Sequence, residues 1–437
     1  MKMRLLALLA LLLPALAFAG DAPKLDTGDT AWMMVSTAFV LLMTPAGLAL
    51  FYAGMTRSKN SLNTYAMVVG AFVVAMIVWI VAGYSLAFGT NENATLQKFI
   101  GGFSNVMLNG IKWSDLSGTY PTYVFIAFQG TFAAITVAIA SGSVIERIKF
   151  STWLVIVILW GLIVYAPVAH MVWGGDGALL FDAGALDFAG GTVVHMNGGL
   201  AGLVLAILVG KRANYPKIAV KPMSVMLTAL GAALLWFGWY GFNAGSAFGA
   251  NAIAGLALLT TTVATAVAAV VWMLLEWIIY KKPTLLGLAS GIVAGLVAIT
   301  PAAGFVSVGG AMIVGGIGSL LGFFGVVTLK KMFKYDDSLD AFGIHFIAGL
   351  WGALATGLLA LNDKELLWDG PLKASGDRMG QFIVQLESVG VTIAWVAIGT
   401  AIVYFIASAV TGGGRVDSET EEMGLDEAVH GEKSFNL

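Results

Sequence analysis

Long apolar stretches separated by short polar loops run through almost the whole chain. Stretches long enough to cross ~30 Å of hydrocarbon fall at about 31–53, 63–88, 121–143, 151–170, 187–209, 222–243, 252–279, 284–300, 307–329, 340–361 and 380–410. This pattern predicts an all-α polytopic membrane protein of eleven transmembrane helices. Composition agrees: of 437 residues, 59% are hydrophobic and only 11% charged, against about 25% charged in soluble domains. The 55 glycines suit helices that approach closely in lipid. Cysteine is absent, which excludes disulfides and thiolate metal sites. The net charge of -2 has no basic excess, and no nucleic-acid partner is expected.

The first residues, MKMRLLALLALLLPALAFAG, have Lys2 and Arg4, an apolar core and then Ala-Phe-Ala. That is the layout of a secretory signal peptide, residues 1–19, cleaved before a membrane domain at 20–410. Basic residues orient the spans. Fifteen Lys and Arg lie in every second loop and the tail, and six lie in the mature N-terminus and the other loops. The mature N-terminus is therefore expected outside, with the C-terminus in the cytoplasm of a bacterial host, the chain sitting in the inner membrane. The polar, acidic tail at 411–437 reads either as a solvated end or as a docking element for a cytosolic partner.

An internal repeat stands out. Residues 187–202, DFAGGTVVHMNGGLAG, and 337–352, DSLDAFGIHFIAGLWG, both read Asp, seven residues, His, three residues, Gly-Leu-x-Gly. The copies are 150 residues and five spans apart, so they enter the membrane from opposite faces. This predicts an inverted repeat, spans one to five and six to ten, plus a long eleventh helix. Each histidine lies ~12 Å along its helix from its aspartate, so His195 and His345 should meet near the midplane of a ~30 Å core.

Ionisable groups cost ~2.5–3.5 kcal/mol at such depth when charged. A repeated pair in an uncharged interior points to neutral imidazoles lining a path for a polar solute or sharing a proton; an interhelical hydrogen bond is the plainer reading. A metal site is disfavoured, since zinc would need further ligands. Asp187 reads first as a helix cap, stabilising by ~1 kcal/mol, and second as a cation ligand. Asp340, one turn before His345, competes with Asp337 as the cap of span ten. Aromatics gather at the outer ends: Phe128 and Phe132 in span three, Trp173 after span four, and Trp236, Trp239 and Phe242 with Asn243 and Ser246 closing span six. An interfacial aromatic belt and a cation–π site worth about 1–2 kcal/mol both fit this spacing.

The segments FYAGMTRSKN, AFQGTFAAITV, AHMVWGGDGALLFDAGALDFAGGTVVHMNGG, GWYGFNAGSA, GLASGIVAGLVAITPAAG and DDSLDAFGIHFIAG resemble the ammonium transporter (Amt/MEP/Rh) family, bacterial Amt branch. The resemblance runs from about residue 30 to the C-terminus. It implies a homotrimer of eleven-helix protomers, each with its own narrow pore carrying ammonium or ammonia. Ammonium recruitment would fall to Phe128, Trp173 and Ser246, a stacked gate to Phe128 and Phe242, and the pore to Trp239 and the twin histidines His195 and His345. Asp187 matches the acidic residue that shapes the outer site. Asp340 matches the family's second buried aspartate, which would make Asp337 the lesser partner. The tail resembles the part that docks a PII-type signalling protein. Neither enzyme chemistry nor a cofactor motif is visible. A passive channel for ammonia or carbon dioxide and an ammonium sensor are the two rival readings.

Overall fold

The computed structural model describes residues 24–213, 215–217, 221–361 and 378–434. The proposed signal peptide at 1–19 lies outside them. Among the described residues, ten helices are long and apolar enough to cross a membrane. They are α1 (Thr27–Met55), α2 (Ser58–Phe88), α3 (Thr122–Ser141), α4 (Phe150–Trp173), α5 (Gly191–Val209), α6 (Val225–Ala244), α7 (Ala252–Tyr280), α9 (Val308–Phe333), α10 (Phe342–Leu359) and α11 (Arg378–Val410). The remaining expected span is α8 (Leu285–Ile299), a shorter apolar helix. Its 15 residues reach only ~22 Å at 1.5 Å per residue. Pro301 follows at once, and the turn it starts stays buried through Ala302, Ala303 and Val306.

The α5–α10 crossing explains the repeat. A Cβ built on Gly199 would lie 2.5 Å from the Phe346 backbone nitrogen, and one on Gly349 would lie 3.2 Å from the His195 Cβ and 3.5 Å from Met196. Residues 196 and 199 therefore meet 346 and 349, each contact reproduced 150 positions on. The glycine four residues after each histidine is what lets the backbones approach. The helices run in opposite senses. Gly210, just past the end of α5, accepts from Arg147, while Leu339, just before α10, donates to Gly142 beside that same arginine.

The caps also repeat. Asp187 accepts from the backbone N–H groups of Gly190, Gly191, Thr192 and Val193 and from the Thr192 hydroxyl. Asp337 accepts from Ala341 at 3.2 Å and Phe342 at 2.8 Å, the positions that correspond to Gly191 and Thr192. The expectation for Asp340 is thereby corrected. Its side chain remains 29% exposed and pairs with Lys330 at 2.7 Å; the buried aspartate of span ten is Asp337. Asp340 sits at φ 62°, not in the extended conformation usual for an N-cap, and its carboxylate goes to Lys330 rather than to the helix start.

One end of the bundle collects the basic loops. Buried Glu146 takes Arg57 at 2.6 Å and Arg212 at 3.0 Å, and Arg212 also grips Asp336 at 2.7 Å. Arg147, wholly buried, donates to the carbonyls of Gly210, Ser143 and Asp336. Burial pushes the Glu146 carboxyl up, but the Arg57 hydrogen bonds and the Arg212 charge outweigh it and hold it below its ordinary range. The same balance, through Arg212 and then Arg147, lowers Asp336.

The tail is anchored at this end. Two short helices, α12 (Ser418–Met423) and α13 (Leu425–His430), follow Arg415, which pairs with Glu421 of α12 at 2.6 Å. Glu421 accepts from the Ala213 amide, and Asn60 accepts from the Leu425 amide. Asp426 caps the start of α2 from across the sequence, accepting from the N–H groups of Leu62 and Asn63. Leu425 is fully buried. The solvated-end reading of the tail is corrected for this stretch, because its carboxylates find backbone donors that a free end lacks.

Four outcomes are expected. Asp337→Ala strips two first-turn donors of their acceptor and should destabilise the solubilised protein by ~1–2 kcal/mol. Asp340→Ala removes one partly exposed pair and should cost less than ~1 kcal/mol; thermal unfolding in detergent compares the two. Glu146→Gln leaves Arg212 short of a counter-charge and should cost ~3 kcal/mol. Carboxyls lowered in the folded state contribute stability that is complete above their ordinary values near ~4 and is lost as pH falls through the lowered ones. The unfolding temperature of wild type should therefore hold from neutral pH downward and drop only below that range.

Candidate functional site

Each histidine lies in a widened, π-helical turn, Gly191–Met196 in α5 and Phe342–Ile347 in α10. A π turn offsets the helical register by a residue and frequently marks functional positions. Here both wide turns face the crossing, and they bring His195 Nδ1 within 3.3 Å of His345 Nδ1. The rings are nearly parallel, with centroids 5.5 Å apart. Both are buried. A neutral imidazole has one donor and one acceptor nitrogen, so one ring presents Nδ1–H to the bare Nδ1 of its partner.

Aromatic rings enclose the pair. Trp239 stacks on His195 with centroids 5.2 Å apart and planes 16° from parallel. Its indole donates to the Thr300 hydroxyl at 2.9 Å, which in turn donates to the Leu296 carbonyl. The short α8 and the turn after it thus hold the ring that holds the histidine. His195 Nε2 is left buried without a partner among the described residues, although such a group ordinarily finds one. It is a polar atom available to a solute.

Beyond Trp239 stands the next constriction. Phe132 stacks on Phe242 with centroids 4.2 Å apart and planes 20° from parallel, and Phe242 reaches His195 at 5.8 Å. The expected stacked pair of Phe128 with Phe242 is corrected to Phe132 with Phe242. Phe128 and Phe132 share a face of α3 at a spacing of four, ~6 Å apart along the axis, and Phe242 lies level with the deeper of the two. Phe128 meets Phe132 at 4.8 Å, tilted, and continues to Phe248 at 6.2 Å near the N-terminal end of α3.

The residues expected to recruit a cation do gather at that end. Trp173 closes α4, edge-on to Phe132 at 6.3 Å, with its indole fixed by the Asp187 carbonyl at 2.9 Å. Ser246 donates to the Phe242 carbonyl at 2.8 Å, which leaves its oxygen lone pairs free to accept. The Asp187 carboxylate spends its oxygens on four N–H groups and one hydroxyl; it is a scaffold that fixes Trp173 through its own backbone. Sequence reasoning did not assign Thr192, Thr300 or Phe248 to the site. Each acts through a neighbour distant in sequence or through a backbone turn, and none carries a motif of its own.

The chain matches the model of the Ammonium Transporter Family over residues 31–435. It is 50% identical to an ammonium transporter of Aquifex aeolicus, with 96% of each chain covered. It is 45% identical to an ammonium transporter of Bacillus subtilis, covering 94% of this chain and 99% of that one. Among solved structures, the Saccharomyces cerevisiae Mep2 crystal structure superposes with a TM-score of 0.83 at 33% identity, covering 91% of this chain and 89% of that one. A structure described as a sensor Amt protein gives 0.83 at 28% identity, covering 92% and 98%. A whole-length match to the family model, these identities and the shared fold place the chain in the ammonium transporter family.

Proposed function

We propose that the chain recruits ammonium at an aromatic outer site, deprotonates it and conducts ammonia past the histidine pair, the proton following a separate route through the two rings. The observation that carries the reading is the unpartnered Nε2 of His195 beside an Nδ1–Nδ1 contact with His345. At the outer site, the faces of Phe128 and Trp173 attract a cation by about 1–2 kcal/mol once it is desolvated, and the Ser246 oxygen accepts one of its N–H groups. Further in, Phe132, Phe242 and Trp239 offer no carboxylate to compensate a charge, and burying an unpaired ion is far costlier than burying a neutral molecule.

Ammonia can both donate and accept a hydrogen bond, which suits either tautomer of the pair. If His345 donates at Nδ1, His195 keeps its hydrogen on Nε2 and donates to the ammonia lone pair. If His195 donates at Nδ1, its bare Nε2 accepts from an ammonia N–H. The second state becomes the first when His195 Nε2 takes up a proton, the shared hydrogen passes from His195 Nδ1 to His345 Nδ1, and His345 releases the hydrogen on its own Nε2; each such exchange hands on one proton. A metal or cofactor has no part in it.

The same reading covers the arrangement in the membrane. Eleven spans, α8 included, place the mature N-terminus outside and the Arg-rich end in the cytoplasm of a bacterial inner membrane, in keeping with the bias of basic residues. Residues 1–19 are removed as a signal peptide, 20–410 form the transport domain, and 411–437 form a regulatory tail. The protomers assemble as homotrimers, and a PII-type signalling protein docks at the tail end.

Reconstituted protein given an ammonium pulse provides the test. Wild type should pass net charge with each ammonia, and His195→Ala or His345→Ala should abolish the current while sparing the fold. A voltage-independent flux in wild type would instead identify a gas channel. Trp173→Ala should raise the half-saturating ammonium concentration ~10-fold, the loss of a desolvated cation–π contact; a gas channel would be indifferent to it. Truncation after Gly414 leaves the first-turn donors of α2 open and should lower the yield of folded protein; what is recovered and reconstituted should keep its flux and lose its regulation, whereas a sensor would lose its output.

A further inference from the structure

Two side chains of α11 reach the scaffold of the aromatic end. Gln381 and Gln385, one turn apart and both buried, face the segment that leads into Asp187. Gln385 brackets Leu186: its Oε1 accepts from the Leu186 N–H at 2.7 Å, and its Nε2 donates to the Leu186 carbonyl at 2.8 Å. The same Nε2 donates to the Ala353 carbonyl of α10 at 2.8 Å, and Oε1 also accepts from Gln381 at 3.3 Å. Two donations and two acceptances fill the capacity of an amide. Gln381 in turn donates to the Gly184 carbonyl at 2.9 Å. On the far side of Asp187, the Phe188 N–H donates to the Pro301 carbonyl at 3.1 Å. Asp187 is therefore strung between two anchors, Leu186 on α11 and Phe188 on the turn after α8.

The repeat gives the Leu186 anchor a counterpart. Asp336, the residue before the second cap, has its carbonyl held at 2.6 Å by Arg147, as the Leu186 carbonyl is held by Gln385. Each capping aspartate thus follows a carbonyl gripped by a buried side chain, a guanidinium at the basic end and a neutral amide at the aromatic end. The difference suits what lies beside them. The Asp187 carbonyl, one residue on from Leu186, fixes the Trp173 indole at 2.9 Å. A guanidinium there would set a fixed positive charge against an arriving cation, whereas an amide grips the backbone and adds no charge. We propose that Gln385 is a positioning residue for cation recruitment: through Leu186 and the Asp187 carbonyl it sets where the Trp173 ring lies. The consequence for transport rests on the recruitment reading given above; the placement of Trp173 does not.

Gln385→Met keeps the length of the side chain and removes its hydrogen bonds. In full-length protein labelled with fluorotryptophan, fluorine NMR reads the placement directly, with Trp173 and Trp239 assigned through Trp173→Phe and Trp239→Phe. Gln385→Met should shift or broaden the Trp173 line and leave in place the Trp239 line, whose indole Thr300 holds. In reconstituted protein it should raise the half-saturating ammonium concentration by up to ~10-fold, the whole of the cation–π contact, and by more than it lowers the maximal current. In a Trp173→Ala background it should add nothing to that concentration, because it acts through the missing ring. A Trp173 line that stays where it was overturns the proposal. So do Trp173 and Trp239 lines that move alike, which marks a general loosening, and so does an additive effect on half-saturation in the Trp173→Ala background. If Trp173→Ala by itself leaves half-saturation unchanged, the recruitment reading fails, while the fluorine lines still decide the placement. Should Gln385→Met not fold, Gln381→Met, which removes only the contacts to Gly184 and Gln385, is judged by the same two lines.

Discussion

The close approach of α5 and α10 governs the rest of the molecule. Gly199 lies against the Phe346 backbone, where a Cβ would overlap it, and Gly349 lies close enough to His195 that a Cβ there would press on it. Only at that distance do two buried imidazoles share a hydrogen rather than each burying an unmet polar atom. The buried caps at Asp187 and Asp337 serve the same contact from opposite ends, by fixing where each helix begins and hence how far along it each ring stands. The aromatic wall follows, since Trp239 must stack on a ring whose place is already set.

The two ends of the bundle are built differently because they answer to different demands. At the basic end, charges are buried in an interlocked set, with Glu146 shared by Arg57 and Arg212, and Asp336 gripped by Arg212. Breaking such pairs is costly, which suits a structural clamp across several loops. At the opposite end, the polar atoms near the aromatic cluster are neutral or already committed, as with Ser246 on the Phe242 carbonyl and Asp187 on its turn. A clamp and a mouth could not use the same chemistry.

Much of this was legible from spacing. Helix positions followed the apolar runs closely, and the Asp–His–Gly repeat implied opposed helices whose histidines touch; the 3.3 Å contact bears that out. The misreadings have physical causes. Phe128 and Phe132 lie on one face of α3, and depth along a helix depends on partners that a local pattern does not include. Preferring Asp340 over Asp337 set a resemblance above the chain's own repeat, and the repeat had the right residue. The tail's order was not legible, because its donors at Leu62 and Asn63 lie more than 360 residues away in sequence.

That separation has a consequence for biogenesis. The second helix enters the membrane long before the carboxylate that satisfies its first-turn N–H groups is made, more than 360 residues later. Until then α2 starts with open donors, and the loops that form the arginine clamp lack the segment that closes over them. Asp426 thus acts as a late check on the start of α2. A chain released short of Asp426 would carry every transmembrane helix and still expose an unfinished end to the machinery that removes defective proteins.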